Sequence, residues 1–532
     1  GYFIIRCQAG DTLVTSFIGY RSETVLVKDD KEELNIALTP LSINISTIEI
    51  TEESDLLYQL ISRSKNTKAY YSKEAKSYLF LESSIEGKTT EMIEAYYNGR
   101  FKGYDLEKLE LKNGRIGLQD FNDQYFINMQ SSRAIMMHEL TFSSEYFPKS
   151  PIGLSKRKLK KEFKLDYQNR FIDDRGRIIY EVAFQSKEDK RDYFEGVLWI
   201  DSLSANIQKI ELLAKDCISH PFLPLHEGDK IEEIDLFIRK TFVEYEGFSY
   251  PREIDFDYSM KYRRRDNAIS SIKTHSLFYI FDYESLFNIP FIYFPEELDN
   301  DYRKINALPL SRTFWRNKPF QYKDEDDNIK NFYNSDSTVH ARNIVYSNGD
   351  TKKSFFEHPY VVWNGNRIRM RNMQRTYESI KLPKAKENCV ASELEIPVDQ
   401  YNFEIQLFMD IYPLGDSIHY STAAIFDPYQ SYYYYEQDEY SVVLMNIYFD
   451  LAEIYNRKLS RALKGIKDAE KAISIYNAIN EEFEAVSKDY FSNVQRGKNR
   501  SALDSYNDLV RKELGIDNIK IFRLDEMEKE ER

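Results

Sequence analysis

The hydrophobic pattern of the chain is mainly that of β-strands up to about residue 440. Residues 254–260 show it most clearly, because apolar and polar side chains alternate there: Ile254, Asp255, Phe256, Asp257, Tyr258, Ser259 and Met260. A period of two predicts a strand with one buried face. Segments 196–201 with 206–211, and 242–245 with 254–258, read as meander units. We therefore predict a large antiparallel sheet over residues 66–300.

From Ser441 onward the hydrophobic period changes to three or four residues, which is typical of amphipathic helices. We predict one helix over Val442–Leu463 and another over Ser501–Leu514, which ends near Gly515. Between them, a second helix is predicted from apolar residues at helical spacing: Ile466, Ala469, Ile473, Tyr476, Ile479, Phe483, Val486 and Tyr490. A shorter helix is predicted over Glu52–Ser64.

Residues 1–48 read as four short strands, over Tyr2–Arg6, Leu13–Phe17, Glu23–Val27 and Leu34–Leu38. The opening Gly-Tyr-Phe, the Gly-Asp-Thr-Leu of residues 10–13 and the Ile-Gly-Tyr of residues 18–20 resemble the second half of a carboxypeptidase regulatory-like domain. That small β-sandwich is structural and occurs in cell-envelope proteins of the Bacteroidota type. The resemblance implies a periplasmic or outer-membrane-associated location. Because the domain's first strands are missing, we expect the sequence to be a fragment that has lost its signal peptide.

The patterns together predict a multidomain α+β protein. Its expected parts are a partial β-sandwich (1–48), a linker helix (49–65), an antiparallel sheet domain (66–300), a mixed loop and strand region (301–440) and a helical region (441–532). The hairpin style of the middle region also resembles the curved sheet of periplasmic lipoprotein-carrier proteins. Asn98-Gly99, Asn113-Gly114 and Arg175-Gly176 are predicted hairpin turns.

Charge narrows the classes of partner. A net charge of −14 argues against nucleic acid as the main partner and against simple adsorption to anionic lipid. Two basic clusters interrupt this background: Lys156–Lys161 with Lys164, and Arg367, Arg369, Arg371 and Arg375. Most such runs are solvated faces, but either cluster could meet lipid headgroups or an acidic partner. No apolar run is long enough to span a membrane.

The residue patterns indicate no catalytic, metal or cofactor site. None of the seven histidines lies in a metal-binding motif, and no nucleotide-binding or nucleophile-elbow motif occurs. Three distant cysteines predict no disulfide framework, and we interpret Cys217 as a packed thiol. The loop from His220 to His226 is interpreted as a connection between meander units. Asp450 and Glu453 share a helix face, with Arg457 placed to pair with Glu453; a structural salt bridge is favoured over catalysis.

We therefore predict a non-enzymatic envelope component that binds or scaffolds an outer-membrane protein complex. Its candidate partner-binding residues are Tyr432, Tyr433, Tyr434, Tyr435, Arg367, Arg369 and Arg371. One alternative is a carrier of lipid or lipoprotein, which needs a continuous apolar cavity within the sheet domain. Another is a hydrolase, in which at least two of His220, His226, His275 and nearby carboxylates converge in one cleft.

Overall fold

A computed structural model describes most of the chain, and it divides into two compact units. The first comprises residues 1–287 and 319–340, and the second comprises 288–318 and 341–532. The described residues are 9–15, 20–28, 34–39, 53–64, 72–122, 131–142, 144–188, 192–224, 228–292, 304–305, 308–309, 311–319, 327–340, 361–369, 373, 375–376, 401–414, 417–428, 430–435 and 437–530.

The N-terminal segment contains a two-stranded antiparallel ribbon. Strand β1 (Thr12–Thr15) pairs with β2 (Glu23–Leu26), which confirms two of the four predicted strands within about two residues. The predicted strand Leu34–Leu38 forms no β-ladder. The predicted strand Tyr2–Arg6 lies outside the described residues. Helix α1 (Glu53–Ser64) follows as expected and buries Leu57, Leu60 and Ile61.

The predicted antiparallel sheet is confirmed and has eleven strands among the described residues. In chain order they are β3 (Ser72–Ile85), β4 (Lys88–Lys102), β5 (Asp105–Gln119), β6 (Phe163–Ile172), β7 (Ile178–Ser186), β8 (Glu195–Asp201), β9 (Ile207–Ala214), β10 (Lys230–Tyr245), β11 (Phe248–Arg263), β12 (Ile269–Asp282) and β13 (Thr338–His340). Their order across the sheet is β13-β5-β4-β3-β12-β11-β10-β9-β8-β7-β6. Strand β12 therefore pairs with β3, although the paired residues lie almost 200 positions apart in sequence.

One face of this sheet is apolar and covered by the chain itself. On β11 it carries Ile254, Phe256, Tyr258 and Met260, all at most 5% exposed, as the alternation predicts. Helix α2 (Ser131–Met137) and the segments after it and around residue 222 lie against this face. The rings of Phe147 and Phe222 lie 6.3 and 6.4 Å from that of Phe256. We call the opposite side the groove face.

Two of the three predicted hairpin turns are wrong. Asn98-Gly99 lies inside β4 and Asn113-Gly114 inside β5. At Gly99 a Cβ atom would come within 2.7 Å of the Phe101 ring, so close packing explains this glycine. Arg175-Gly176 does form a turn, with Gly176 at φ 75°.

Two further helices of the first unit are α3 (Lys156–Glu162) and α4 (Asp327–Asn334). Helix α3 packs beside α1 and leads directly into β6. Helix α4 covers the groove face over β4 and β5: a Cβ atom on Gly117 would lie 3.0 Å from the rings of Phe332 and Tyr333.

The second unit has a helical core against two short sheets. Its strands are β14 (Val361–Val362), β15 (Arg375–Thr376), β16 (Tyr401–Asn402), β17 (Ile405–Leu414), β18 (Ser417–Phe426) and β19 (Tyr432–Tyr433). Its helices are α5 (Glu439–Ala462), α6 (Ala469–Val494), α7 (Arg500–Leu514), α8 (Asn518–Ile521) and α9 (Leu524–Glu530), besides a single turn at Arg312–Arg316. The three predicted long helices are thus confirmed. The strands and helices share one hydrophobic cluster, which joins the predicted regions 301–440 and 441–532.

Candidate functional site

A groove of about 420 Å³ lies on the groove face, over β3, β12, β11, β10 and β9. Its apolar lining includes Leu213 and Phe237. Its ionisable side chains are Glu82, Asp235, Asp257, Lys273 and His275. Its volume falls within the range of ligand-binding pockets. Apolar side chains next to charges of both signs suit an amphipathic ligand.

Strand register places these side chains in two parallel rows. The first row runs Glu82, His275, Asp257, Phe237 and Leu213, each paired with the next across neighbouring strands. The second row runs Ser84, Lys273, Ser259 and Asp235. Strands about 4.8 Å apart give the first row a length of about 19 Å. The site is therefore assembled from residues more than a hundred positions apart in sequence.

His275 and Asp257 form the polar centre of the groove. Nδ1 of His275 lies 2.7 Å from Oδ1 of Asp257, and both side chains are about 40% exposed. Glu82, on the other side of His275, accepts a 2.7 Å hydrogen bond from the Thr89 hydroxyl. Lys273 is exposed in the adjacent row. Three carboxylates thus face one lysine and one histidine, which leaves the groove acidic at neutral pH.

A β-bulge extends the groove into a second one of about 300 Å³. The register of β10 against β11 shifts between Glu232 and Asp235, and Glu233 has a φ of 49°. Bulges of this kind redirect side chains next to binding sites. Glu233 forms an ion pair with Lys261 at 2.5 Å. The two grooves share Asp235, Ser259 and Lys273.

A buried polar network lies on the same face, two strands away from His275. Glu94 is fully buried and accepts hydrogen bonds of 2.7 Å from the Tyr78 hydroxyl and from Nε of Arg115. The Arg115 guanidinium also lies 3.9 Å from the centre of the Tyr333 ring on α4. Burial, and then the Glu94 carboxylate, raise the pKa of Tyr78 well above its ordinary value. We interpret this network as the support that fixes α4 against the sheet.

The buried titratable groups under the apolar face do not join the groove. Cys217 is a free thiol that is only 6% exposed, which confirms the packed-thiol interpretation, and its burial raises its pKa to about 12. His138 is 3% exposed, between the rings of Phe147 and Phe194. His220 stacks on Phe222, 6.1 Å away. Burial lowers the pKa of both histidines, so both are neutral at pH 7.

The hydrolase alternative depends on whether the histidines and carboxylates meet in one cleft. His275 converges with Asp257 and Glu82, but His220 lies under the opposite face. His226 lies outside the described residues. One histidine with carboxylates is thus all that the described residues bring together in the groove.

The structure corrects the interpretation of Arg367 as an exposed binding residue. Its side chain is 11% exposed and pairs with Asp450 in α5 through both terminal nitrogens, at 2.7 and 2.9 Å. Arg369 is exposed, and Arg371 lies outside the described residues. The predicted alternation of arginines along a strand is also wrong, because residues 363–369 form no strand. Glu453 pairs with Arg457 at 2.9 Å, as predicted.

The tyrosine run is mainly part of the core of the second unit. Tyr433 is fully buried and stacks on Phe403, 5.9 Å away, which corrects its assignment to a binding surface. Tyr435 packs under the guanidinium of Arg496, 3.6 Å from the ring centre. Tyr432 and Tyr434 are half-buried and stack on each other at 5.2 Å. A binding role for Tyr432 and Tyr434 stays a prediction.

No group of three or more His, Cys, Asp or Glu side chains among the described residues is arranged to hold a metal ion. No helix within the described ranges is long and apolar enough to cross a membrane.

Comparison with known proteins gives no family. No family model and no curated protein matches the chain, so the carboxypeptidase regulatory-like domain stays a prediction. The solved structures returned include a LolA superfamily protein from Nitrosomonas europaea, with 9% identity and a TM-score of 0.15 over 46% of this chain and 97% of that one. MucB (8%, TM-score 0.17) covers 43% of this chain and 93% of its own. A putative outer membrane lipoprotein-sorting protein domain from Vibrio parahaemolyticus (9%, TM-score 0.17) covers 44% and 95%.

One of these titles names lipoprotein sorting, and residues 66–300 were predicted to resemble the sheet of lipoprotein-carrier proteins. At such low TM-scores and identities, the likeness carries no inference about function.

The groove residues Glu82, Phe237, Asp235 and Lys273 were missed from the sequence. One signal pointed toward them, since Asp257 and Ser259 occupy the polar side of the clearest alternating strand. Finding the others required knowing that β12 lies between β11 and β3.

Proposed function

We propose that this protein is a non-catalytic binding component of the cell envelope and that the groove on the sheet holds its ligand. The observation that carries the proposal is the groove itself, where the apolar side chains of Leu213 and Phe237 lie beside Asp257, Lys273 and His275. Sites that fix a ligand without reacting with it commonly combine apolar lining with a few polar groups. The envelope location rests on the resemblance of residues 1–48.

The ligand that fits best is an extended segment of a partner protein. The first row of side chains is about 19 Å long and open to solvent, so it can follow several residues of an extended chain. The excess of carboxylates in the groove favours a segment that carries a basic side chain next to an apolar one. An outer-membrane protein complex is the partner that we propose presents this segment.

The carrier alternative is restricted to the groove face, because the apolar face of the sheet is already covered by the protein's own side chains. A cradle for an acyl chain needs free apolar volume, but Phe147 and Phe222 from the covering segments are buried over that face. A carrier built on this sheet would therefore use the charged groove, and its cargo would be amphipathic rather than a bare acyl chain.

The proposal is tested by purifying the full-length protein from its native envelope in mild detergent and identifying co-purified proteins and lipids by mass spectrometry. A Ser259→Trp variant fills the groove, since Ser259 lies in its second row. The matched control is Thr241→Trp, which lies on the groove face of the neighbouring strand β10 but outside the groove lining. We expect a stoichiometric protein partner that Ser259→Trp loses and Thr241→Trp retains.

Other outcomes would count against the proposal in different ways. A partner retained by both variants would place the binding site elsewhere. Co-purified lipid in place of protein, lost only by Ser259→Trp, would favour the carrier. Protein recovered with neither would favour the hydrolase alternative and direct attention to His275 and Asp257.

A further inference from the structure

Helix α3 carries the densest group of cations in the first basic cluster. Its N-cap is Ser155, whose hydroxyl accepts a 3.4 Å hydrogen bond from the Lys158 amide. Its anchor is Leu159, which is fully buried. Five of its seven residues are Lys or Arg. A short helix of this kind is held in place by one apolar side chain and by what its charges contact.

Among the described residues, carboxylates neutralise one side of α3. Asp55 on α1 pairs with Lys156, at 2.7 Å, and with Lys160 one turn later. Hydrogen bonds from Lys156 and then Lys160 lower the pKa of Asp55. One carboxylate therefore serves two lysines and fixes the side that α3 turns toward α1.

The other side of α3 presents Arg157, Lys158 and Lys161 to solvent. Successive residues of a helix are about 100° apart, so these three side chains lie within an arc of about 100°, away from Leu159. All three are exposed, and their side chains make no ion pair or hydrogen bond within the described part of the chain. Three cations of like charge are thus concentrated on a single helical turn of a protein whose net charge is −14.

We infer that the outward face of α3, formed by Arg157, Lys158 and Lys161, is a contact surface for phosphate-bearing anionic lipid headgroups. An acidic protein fits less well, because protein interfaces are anchored by apolar or aromatic side chains and the only apolar side chain of α3, Leu159, is buried. A lipid surface needs no such anchor, since it attracts cations through their summed charge. The acidity of the rest of the chain would turn this face toward the membrane.

The expected strength is modest and measurable. Each Lys or Arg near an anionic surface favours association by about fivefold, so three cations together give about 100-fold. The contact would orient the protein on a membrane rather than anchor it. Because salt at about 1 M reduces the Debye length to about 3 Å, the association should disappear there.

The test is co-sedimentation of the full chain with phosphatidylcholine vesicles, with and without phosphatidylglycerol. We expect binding only when phosphatidylglycerol is present. The triple variant Arg157→Glu, Lys158→Glu and Lys161→Glu should lower the association at least 100-fold. The matched control reverses three exposed cations elsewhere in the first unit: Lys215→Glu, Lys230→Glu and Arg252→Glu. It makes the same change in net charge and should retain most of the binding. Circular dichroism verifies that both variants fold.

Three results would overturn the inference: no sedimentation of the unmodified chain with phosphatidylglycerol vesicles, full binding by the α3 variant, or an equal loss in the control. An acidic protein partner is also distinguishable. In that case the unmodified chain does not bind the vesicles, and charge reversal of the α3 cations causes the loss of a co-purified protein in the native purification.

Discussion

Arg367 and Asp450 form a bidentate ion pair inside the second unit, although they lie 83 residues apart in sequence. Asp450 is fully buried, and its two oxygens also accept hydrogen bonds of 2.8 Å from Trp363 and 2.7 Å from Asn518. Nη1 of Arg367 donates to Asn518 as well, at 2.7 Å. The pair therefore joins the segment 361–369 to α5 and α8.

Asp450→Ala should destabilise the second unit by about 3–5 kcal/mol, because it leaves a largely buried guanidinium without its carboxylate. The control is Lys458→Ala on the same helix, whose partner Glu482 is half-exposed, and there we expect less than about 1 kcal/mol. Urea denaturation of the full-length variants measures both. Equal losses would mean that the Arg367–Asp450 pair is no more than a surface contact.

Lys240 and Asp105 are coupled in the first unit. Nζ of Lys240, on the apolar face, lies 3.2 Å from Oδ1 of Asp105 and 2.9 Å from the carbonyl oxygen of His138. Lys240 is 1% exposed, so Asp105→Ala should cost about 3 kcal/mol by leaving a buried charge unpaired. Lys240→Met in that background should recover part of the loss. A double-mutant cycle by thermal melting measures the coupling, and additive effects would contradict it.

His138 should make the stability of the first unit depend on pH. Burial, and then the nearby Lys240, lower its folded-state pKa well below 6.5. As pH falls below about 6.5 the unfolded chain takes up a proton that the folded chain resists, so stability decreases. The loss is up to about 1.4 kcal/mol per pH unit until the folded pKa is reached. Melting temperatures between about pH 7.5 and 5 should show it, and His138→Phe should reduce it. A slope that stays unchanged in His138→Phe would show that another group is responsible.

Gly497 should resist substitution more than Gly515 does. Gln495, Arg496 and Gly497 have successive φ angles of 50°, 60° and 88° at the end of α6. A Cβ atom on Gly497 would lie 2.9 Å from that of Tyr440, whereas one on Gly515, at φ 75°, would meet nothing within 4 Å. Gly515→Ala should therefore cost about 1–2 kcal/mol from backbone strain alone, and Gly497→Ala more. Thermal melts compare the two, and a smaller cost at Gly497 would show that Tyr440 moves aside easily.

Local sequence patterns predicted helix ends and strand faces well where residues close in sequence determine them. The end of the helix at Gly515 was predicted correctly because glycine readily adopts the left-handed conformation that ends helices, and Gly515 does so at φ 75°. The alternation of residues 254–260 likewise identified which side chains of β11 are buried. The Asn-Gly pairs failed because Gly99 is required by the Phe101 ring, a contact within the folded sheet rather than a property of a turn.

The sequence by itself determined the class of this protein: strands with one buried face up to about residue 440, helices after it, an acidic surface interrupted by the cations of 156–161, and no catalytic or metal motif. Only the tertiary structure decided which charges are available. Arg367 became part of a buried ion pair because Asp450 reaches it from α5, and Arg157, Lys158 and Lys161 stayed exposed because Asp55 pairs only with the other side of α3. The groove, too, exists only because β12 brings His275 between Asp257 and Glu82. Strand order across a sheet is set by long-range packing, which a local hydrophobic period does not encode.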